Sequence, residues 1–274
     1  MLAVLAGADM TNEAATTISP QRDDIATLMA IGVVAYVCET LLHEAAGHGG
    51  MCLASGYRVT AIAPLWMHCS TTTPLVNLMG PAANLVGAAV YGLILRFAPP
   101  RGDRVRLFVW LSLAFNGLVA AGYMGVGGLT GFGDWPAVLA GLAPPWLARG
   151  GLVVVAVGFY LGFLRLAGGL LKDRVVGGAL TDRRLRRLVL FPALGAAIAA
   201  LGAEVYGQGA RPLGLALAAG CTLVVGFSLT SLPTVKGEAA TAFGVRFSWV
   251  WMVVAVVVGT GFVLAVGPGY GLGR

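Results

Sequence analysis

The chain has 274 residues, of which 58% are hydrophobic and 11% are charged, and its formal net charge is +6. A soluble domain carries roughly 25% charged residues, so this chain has too few to cover a water-facing surface, and we expect a membrane protein. The positive charge lies in short loops between apolar segments, where it sets membrane orientation, and we predict no nucleic-acid partner.

The first 24 residues are polar and predict a loose N-terminal leader. A membrane-spanning helix needs about 20 mostly apolar residues, and seven later segments meet this requirement. We predict an all-α multi-pass membrane protein with six to seven transmembrane helices, in a lipid bilayer that we expect to be a prokaryotic plasma membrane. The candidate spans fall near residues 25–50, 75–98, 106–128, 148–171, 187–206, 211–232 and 247–267.

Two segments interrupt the helical pattern. Residues 56–74 are rich in β-branched and aromatic side chains and predict one or two short strands at the membrane surface. The stretch "GVGGLTGFGDWP" (125–136) has five glycines and one aspartate, and we predict that it is too flexible for a regular helix. Because non-helical backbone at membrane depth must be buried or line a cavity, we expect a re-entrant loop that carries Asp134.

The cysteines Cys38, Cys52, Cys69 and Cys221 are scattered along the chain. No C-x-x-C pair occurs, so the spacing supports neither a disulfide framework nor a cysteine-ligated zinc ion.

Basic residues alternate between the connections. Those after spans one, three and five hold only Arg58, Arg149 and Arg211, whereas those after spans two, four and six hold twelve of the 18 Lys and Arg residues. The positive-inside rule then places the even connections and the N-terminus in the cytoplasm. The twelve are Arg96, Arg101, Arg104, Arg106, Lys172, Arg174, Arg183, Arg184, Arg186, Arg187, Lys236 and Arg246.

The first span contains the polar cluster "CETLLHEAAGHGGM" (38–51), with two of the chain's three histidines. Ionisable residues in a membrane span are costly and mark functional sites. His43 and His48 are five residues apart, which on a regular α-helix separates them by about 140°. We therefore predict a local helix distortion over residues 44–48, such as a π-bulge, that brings both imidazoles to one face.

The carboxylates in this cluster allow two interpretations. Glu39 lies four residues before His43 and could accept its distal N–H, the support that metal-bound histidines usually require. Alternatively, Glu39, Glu44 and both histidines could all be ligands. A cluster with only a structural role is a further possibility.

Three motifs in chain order resemble those of the site-2 protease family, the intramembrane zinc metalloproteases. The segment "LLHEAAGHGGMCLASGYRV" (41–59) is similar to the family's HExxH motif with one residue inserted, and a dipeptidyl-peptidase family uses an HExxxH helix for zinc. "LMGPAANLVGAA" (78–89) resembles the GPxxN motif, which includes Asn84. "LAFNGLVAAGYMGVGGLTGFGDW" (113–135) resembles the third feature, an asparagine followed by an aspartate in a glycine-rich turn, here Asn116 and Asp134.

The resemblance implies a catalytic core over residues 25–145. Zn²⁺ would be held by His43, His48 and Asp134, with Glu44 as the general base and Asn84 close to the reacting carbonyl. His68 is the alternative third ligand. Residues 146–274 would add transmembrane helices of unknown role.

The expected activity is hydrolysis of a peptide bond in a membrane protein or a membrane-associated peptide. Two alternatives stay open: a non-hydrolytic membrane scaffold or sensor that retains the metal, and a metal-dependent membrane redox enzyme or transporter. The basic-residue pattern favours a site that opens on the extracytoplasmic side.

Overall fold

The computed structural model describes residues 23–142, 144–236 and 241–269. Almost all of the predicted leader, residues 1–22, lies outside the described residues. Asp23 and Asp24, the last two residues assigned to the leader, belong to the folded bundle: Asp24 caps the first helix, and its side chain accepts a hydrogen bond from the backbone N–H of Thr27 at 2.8 Å.

The described residues form helices and one two-stranded sheet. The first span consists of α1 (Ile25–Thr40), a π-helical segment (Leu41–Gly49) and α2 (Gly50–Ala54). The strands are β1 (Val59–Ala63) and β2 (Trp66–Cys69). The remaining elements are α3 (Pro74–Phe97), α4 (Asp103–Thr130), α5 (Trp135–Val138), α6 (Pro145–Leu170) with a second π-helical segment (Leu171–Val176), α7 (Asp182–Gln208), α8 (Pro212–Leu229) and α9 (Trp249–Ala265).

Six of these helical segments are long and apolar enough to cross a membrane. Their bounds confirm the first six predicted spans to within a few residues. The seventh, α9, has 17 residues and is equally apolar, which lies at the lower limit for a spanning helix. The chain is therefore a multi-pass helical membrane protein by length and composition.

Helix α4 lies at the centre of the bundle, where α1, α3, α6 and α8 contact it. Trp110 and Phe115 are fully buried on it, and the Trp110 indole N–H donates to the carbonyl of Ala167 on α6 at 2.8 Å. On the other side of α1, two glycines allow close approach to α7. A Cβ on Gly32 would overlap the backbone of Pro192, and one on Gly195 would overlap the carbonyl of Met29. Small residues permit this kind of contact in membranes.

The predicted β segment is an antiparallel hairpin in which Val59 pairs with Cys69 and Ala63 with Trp66. It is held to the end of the first span by a disulfide between Cys52 and Cys69, whose Cα atoms are 5.9 Å apart. The cysteine spacing gave no support for a disulfide, yet one is present, because the hairpin folds back and brings Cys69 of β2 to Cys52 of α2, 17 residues away in sequence.

The glycine-rich stretch 125–136 is more regular than we predicted. Helix α4 continues through it to Thr130, and only then does the chain turn at Gly131 (φ 71°) and Gly133 (φ 89°). The helical glycines serve close packing: a Cβ on Gly128 would lie 2.6 Å from Val153 Cγ2 and 3.0 Å from the carbonyl of Arg149 on α6. Gly128 therefore lets α4 and α6 touch.

The connections after spans two, four and six and the start of the first span, which we predicted to lie on the cytoplasmic side, lie at one end of the bundle. Arg184 at the start of α7 pairs with Asp23 at 2.9 Å. The backbone N–H groups of Val245 and Gly244 donate to Asp23 and to Asp103, which begins α4, at 3.0 and 2.9 Å. The hairpin lies at the other end, where Trp66 is next to Gly269, beyond the end of α9.

Candidate metal centre

His43 and His48 both lie in the π-helical segment Leu41–Gly49, which confirms the predicted helix distortion. At its end, the backbone N–H of Gly50 donates to the carbonyl of Ala45, five residues earlier. This i→i−5 pattern widens the helix, so that positions five apart return to nearly the same face. The wider turns of this segment thus accommodate the extra residue in the histidine motif.

Three potential ligand atoms converge at this segment. The two Nε2 atoms of His43 and His48 are 3.2 Å apart. Asp134, which precedes α5, places Oδ2 3.4 Å from His43 Nε2 and Oδ1 3.4 Å from His48 Nε2. The structure therefore brings together the three predicted ligands from two distant parts of the chain.

The hydrogen bonds on the far side of each imidazole fix where its lone pair points. His43 Nδ1 lies 3.2 Å from Asn84 Oδ1, and His48 Nδ1 lies 2.8 Å from the carbonyl of Val76. Both partners are oxygen acceptors, so each Nδ1 carries the proton and, in the neutral imidazoles, each Nε2 presents a lone pair. In that state two nitrogen lone pairs and a carboxylate face one another, and together they could hold a metal ion.

The three side chains are close enough to share one metal ion, since one ligand atom from each lies within 4.8 Å of the others. Zinc–nitrogen and zinc–oxygen bonds of about 2.0–2.1 Å in tetrahedral geometry place neighbouring ligand atoms about 3.3–3.4 Å apart. The two imidazole nitrogens are 3.2 Å apart, and each lies 3.4 Å from a different oxygen of Asp134, Oδ2 for His43 and Oδ1 for His48. Three protein ligands leave one position for water, as catalytic zinc sites do. Other divalent metals also bind this donor type.

Close contact between α3 and the π-helical segment shapes the back of the site. A Cβ on Gly47 would lie 2.6 Å from the carbonyl of Met79. A Cβ on Gly80 would overlap His48 Nε2 and lie 2.8 Å from His43 Nε2. Glycine at position 80 therefore leaves room for the two imidazoles and for whatever lies between them.

Asp134 directs its carboxylate at the histidines and does not cap α5, since its side chain accepts no helix-capping hydrogen bond. Burial raises the pKa of the Asp134 carboxyl, but when His43 and His48 are protonated their hydrogen bonds and positive charge outweigh burial and lower the pKa to about 2. The side chain is thus an anionic ligand near neutral pH.

Asn84 and Glu39 form a chain of hydrogen bonds behind His43. The Asn84 amide N–H donates to Glu39 Oε1 at 2.7 Å while its oxygen accepts from His43. Asn84 is fully buried and Glu39 is 4% exposed. We expected Glu39 to bond His43 directly. Asn84 lies between them instead, because α3 approaches the π-helical segment closely enough to insert the amide.

Glu44 is buried beside the histidines, and its Oε2 atom makes no hydrogen bond. Together with His48 and Asp134 it lines a cavity of about 900 Å³ between β2, α4, α6 and α8. The cavity wall is otherwise mostly apolar, as binding sites of this size usually are. Glu44 is thus a carboxylate available at the end of a substrate-sized space.

Two other residues that the sequence analysis named, His68 and Asn116, do not contribute to the metal centre. His68 is exposed on β2 and packs on Trp66 at 4.3 Å between ring centroids, so the structure does not bring this alternative ligand to the site. Asn116 is buried in α4 and donates to the carbonyl of Ser112.

The sequence analysis missed two residues near the site: Tyr123, whose ring lies 4.9 Å from that of His43, and Glu204, which lines the cavity. An acidic residue within an apolar span was the available signal for Glu204.

Comparisons with family models, with curated proteins and with solved structures found no match for this chain. The functional argument therefore rests on the geometry of the site.

Proposed function

We propose that this protein is an intramembrane zinc metallopeptidase related in mechanism to the site-2 proteases. One observation carries the proposal: two imidazole nitrogens and a carboxylate converge at 3.2–3.4 Å beside Glu44, whose Oε2 atom makes no hydrogen bond. This combination of a metal-binding face and a neighbouring general base is what zinc-assisted hydrolysis requires.

Three residues would bind the metal, and a fourth would transfer protons. His43, His48 and Asp134 would hold the metal, which when bound polarises the scissile carbonyl and makes water a stronger acid. Glu44 would take the proton from the attacking water and pass it to the leaving amine. A carboxylate that already has a hydrogen-bond partner would serve poorly, whereas Glu44 Oε2 has none.

For Asn84 we propose a positioning role in place of a contact with the reacting carbonyl. Its amide is engaged at both ends, by His43 and Glu39. Such a chain fixes the tautomer of the ligand and raises its basicity. The same hydrogen bonds engage Glu39, which a dinuclear centre would need as a ligand. The arrangement therefore favours one metal ion over a dinuclear redox centre.

The depth of the site supports a re-entrant turn. Eleven residues separate His43 from Ala54 at the end of the first span, or roughly 16 Å of helix. The Asp134 carboxylate reaches His43 at that depth. We infer that the turn 131–134 dips below the membrane surface, where protein and the cavity surround it.

The proposed substrate is a membrane protein or a membrane-associated peptide. Most of the cavity wall is apolar, and β2 contributes Trp66, Met67 and Cys69 to it. An extended peptide could add to the edge of the hairpin by backbone hydrogen bonds, which would hold an unwound segment beside the metal.

Two features support an opening on the extracytoplasmic side. The basic residues concentrate in connections at the opposite end of the bundle, as the positive-inside rule expects of the cytoplasmic side. The Cys52–Cys69 disulfide lies at the hairpin end, and disulfides persist in oxidising compartments.

Cysteine labelling tests this orientation. Thr72 and Pro99 are exposed and lie on opposite connections. Each would be replaced by cysteine after Cys38 and Cys221 are replaced by serine, with the disulfide kept. We expect an impermeant thiol reagent to label Thr72→Cys in intact cells and Pro99→Cys only after permeabilisation. The reverse pattern would place the site toward the cytoplasm.

The function itself is tested by metal analysis and peptide hydrolysis. We expect one zinc ion per chain in the purified protein and cleavage of apolar peptides in detergent or bilayers. Glu44→Gln should keep the zinc and lose cleavage, because an amide cannot accept the proton. Iron, or two metals per chain, would favour the redox alternative. Zinc with no cleavage of any membrane peptide would favour a non-hydrolytic scaffold.

A further inference from the structure

Glu204 is a second buried carboxylate on the cavity wall, apart from the metal centre. It lies near the end of α7 within a membrane span and is 4% exposed. The cavity that it lines is the one that Glu44, His48 and Asp134 also line. An acidic side chain in a span is costly and usually has a functional partner.

The carboxylate is held in place by packing. A Cβ on Gly214, in the first turn of α8, would overlap Glu204 Oε1 and lie 3.1 Å from its Cγ. The glycine thus makes room for the acid, and the positive end of the α8 dipole favours a negative charge there. Among the residues that the structure describes, however, no hydrogen bond or ion pair joins this carboxylate to a protein group.

Arg211 is the nearest candidate for an internal partner. It lines the same cavity but is exposed, and the described structure contains no ion pair between it and Glu204. The turn that carries it is strained, since Ala210 has φ 56°, a left-handed conformation that suits glycine. The arginine adds positive potential near Glu204 without covering its carboxylate.

We propose that Glu204 binds a positively charged group of the substrate, a free α-ammonium or a basic side chain, while the rest of the substrate fills the apolar cavity. The inference rests on the proposed function, because it uses the same cavity. The physical reason is that a substrate in the cavity would displace water from the Glu204 carboxylate, which then needs a cation or hydrogen-bond donors to offset its lost hydration. An ammonium group supplies both.

Peptide binding tests the proposal without requiring hydrolysis. The full-length protein in detergent, carrying Glu44→Gln to prevent turnover, would be titrated into three fluorescently labelled apolar pentapeptides. One has a free N-terminus, one is N-acetylated, and one is N-acetylated but contains a lysine. We expect the free-amino peptide, the lysine peptide or both to bind at least about tenfold more tightly than the uncharged peptide. The comparison between the first and third peptides identifies the source of the charge.

Substitution of Glu204 assigns the effect to this residue. Glu204→Gln has nearly the same shape and should remove the charge-dependent gain, so that charged and uncharged peptides bind with equal affinity. Asp182→Asn is the matched control, since Asp182 is an exposed acid at the other end of α7. Equal affinity for charged and uncharged peptides, no binding of any peptide, or charge preference that persists in Glu204→Gln would overturn the proposal.

Different results would contradict the peptidase proposal and the cation-site proposal. Charge-dependent binding through Glu204 in a protein that cleaves no peptide would remove the peptidase assignment and keep the cation site. Cleavage with a KM that is the same for charged and uncharged peptides would keep the peptidase and remove the cation site.

Discussion

Gly80 offers a sharp test of the metal centre, because its replacement changes no ligand. Gly80→Ala places a methyl group against both imidazoles. The new Cβ would lie 2.8 Å from His43 Nε2 and closer still to His48 Nε2. Ordinary contact begins near 3.4 Å, so His43 must move by about 0.6 Å (3.4 minus 2.8) and His48 by more.

This displacement is large for a metal site. Metal–ligand distances are held to about ±0.2 Å, and changes that only disturb the support of a ligand already lower metal affinity by about 10–100-fold. We therefore expect Gly80→Ala to weaken zinc binding by at least about 100-fold, or about 2.7 kcal/mol. Hydrolysis should fall with it.

Gly92→Ala is the control, on the same helix. Its Cβ would lie 3.6 Å from Leu113 Cδ1, an ordinary contact, and alanine is favoured over glycine in a helix. Zinc affinity would be measured for both variants by competition with a chromophoric chelator, and folding by circular dichroism and thermal unfolding. If folded Gly80→Ala binds zinc as tightly as Gly92→Ala, the two imidazoles do not form a metal site with Asp134.

Four further predictions concern the ligands, the residues beside them and the metal itself. His43→Ala and His48→Ala should each lose stoichiometric zinc, since two protein ligands hold it poorly; metal analysis with unchanged content in both variants would show a misassigned site. Glu44→Gln should retain zinc while peptide cleavage falls by about 10²–10⁴-fold, and loss of the metal would instead make Glu44 a ligand. Asn84→Ala should lower zinc affinity by about 10–100-fold; unchanged affinity with a reduced kcat would place Asn84 beside the reacting carbonyl. Removal of the metal by a chelator should abolish cleavage, and added zinc should restore it.

The sequence alone predicted the structural features that depend on a single segment of the chain. Apolar length predicted the spans, because each helix satisfies its own backbone hydrogen bonds in lipid. The five-residue spacing of His43 and His48 predicted the π-helical segment, because only a widened turn brings both side chains to one face. The β-branched run after the first span likewise predicted the hairpin.

The tertiary structure decided what depends on contact between distant segments. It brought Cys69 of the hairpin to Cys52 of α2, inserted Asn84 between Glu39 and His43, and directed Asp134 at the imidazoles. Sequence motifs identified most of these residues as candidates, but none of the pairings is a property of one segment. Each follows from the packing of distant segments, and at the metal centre Gly47 and Gly80 allow α3 to approach the π-helical segment closely.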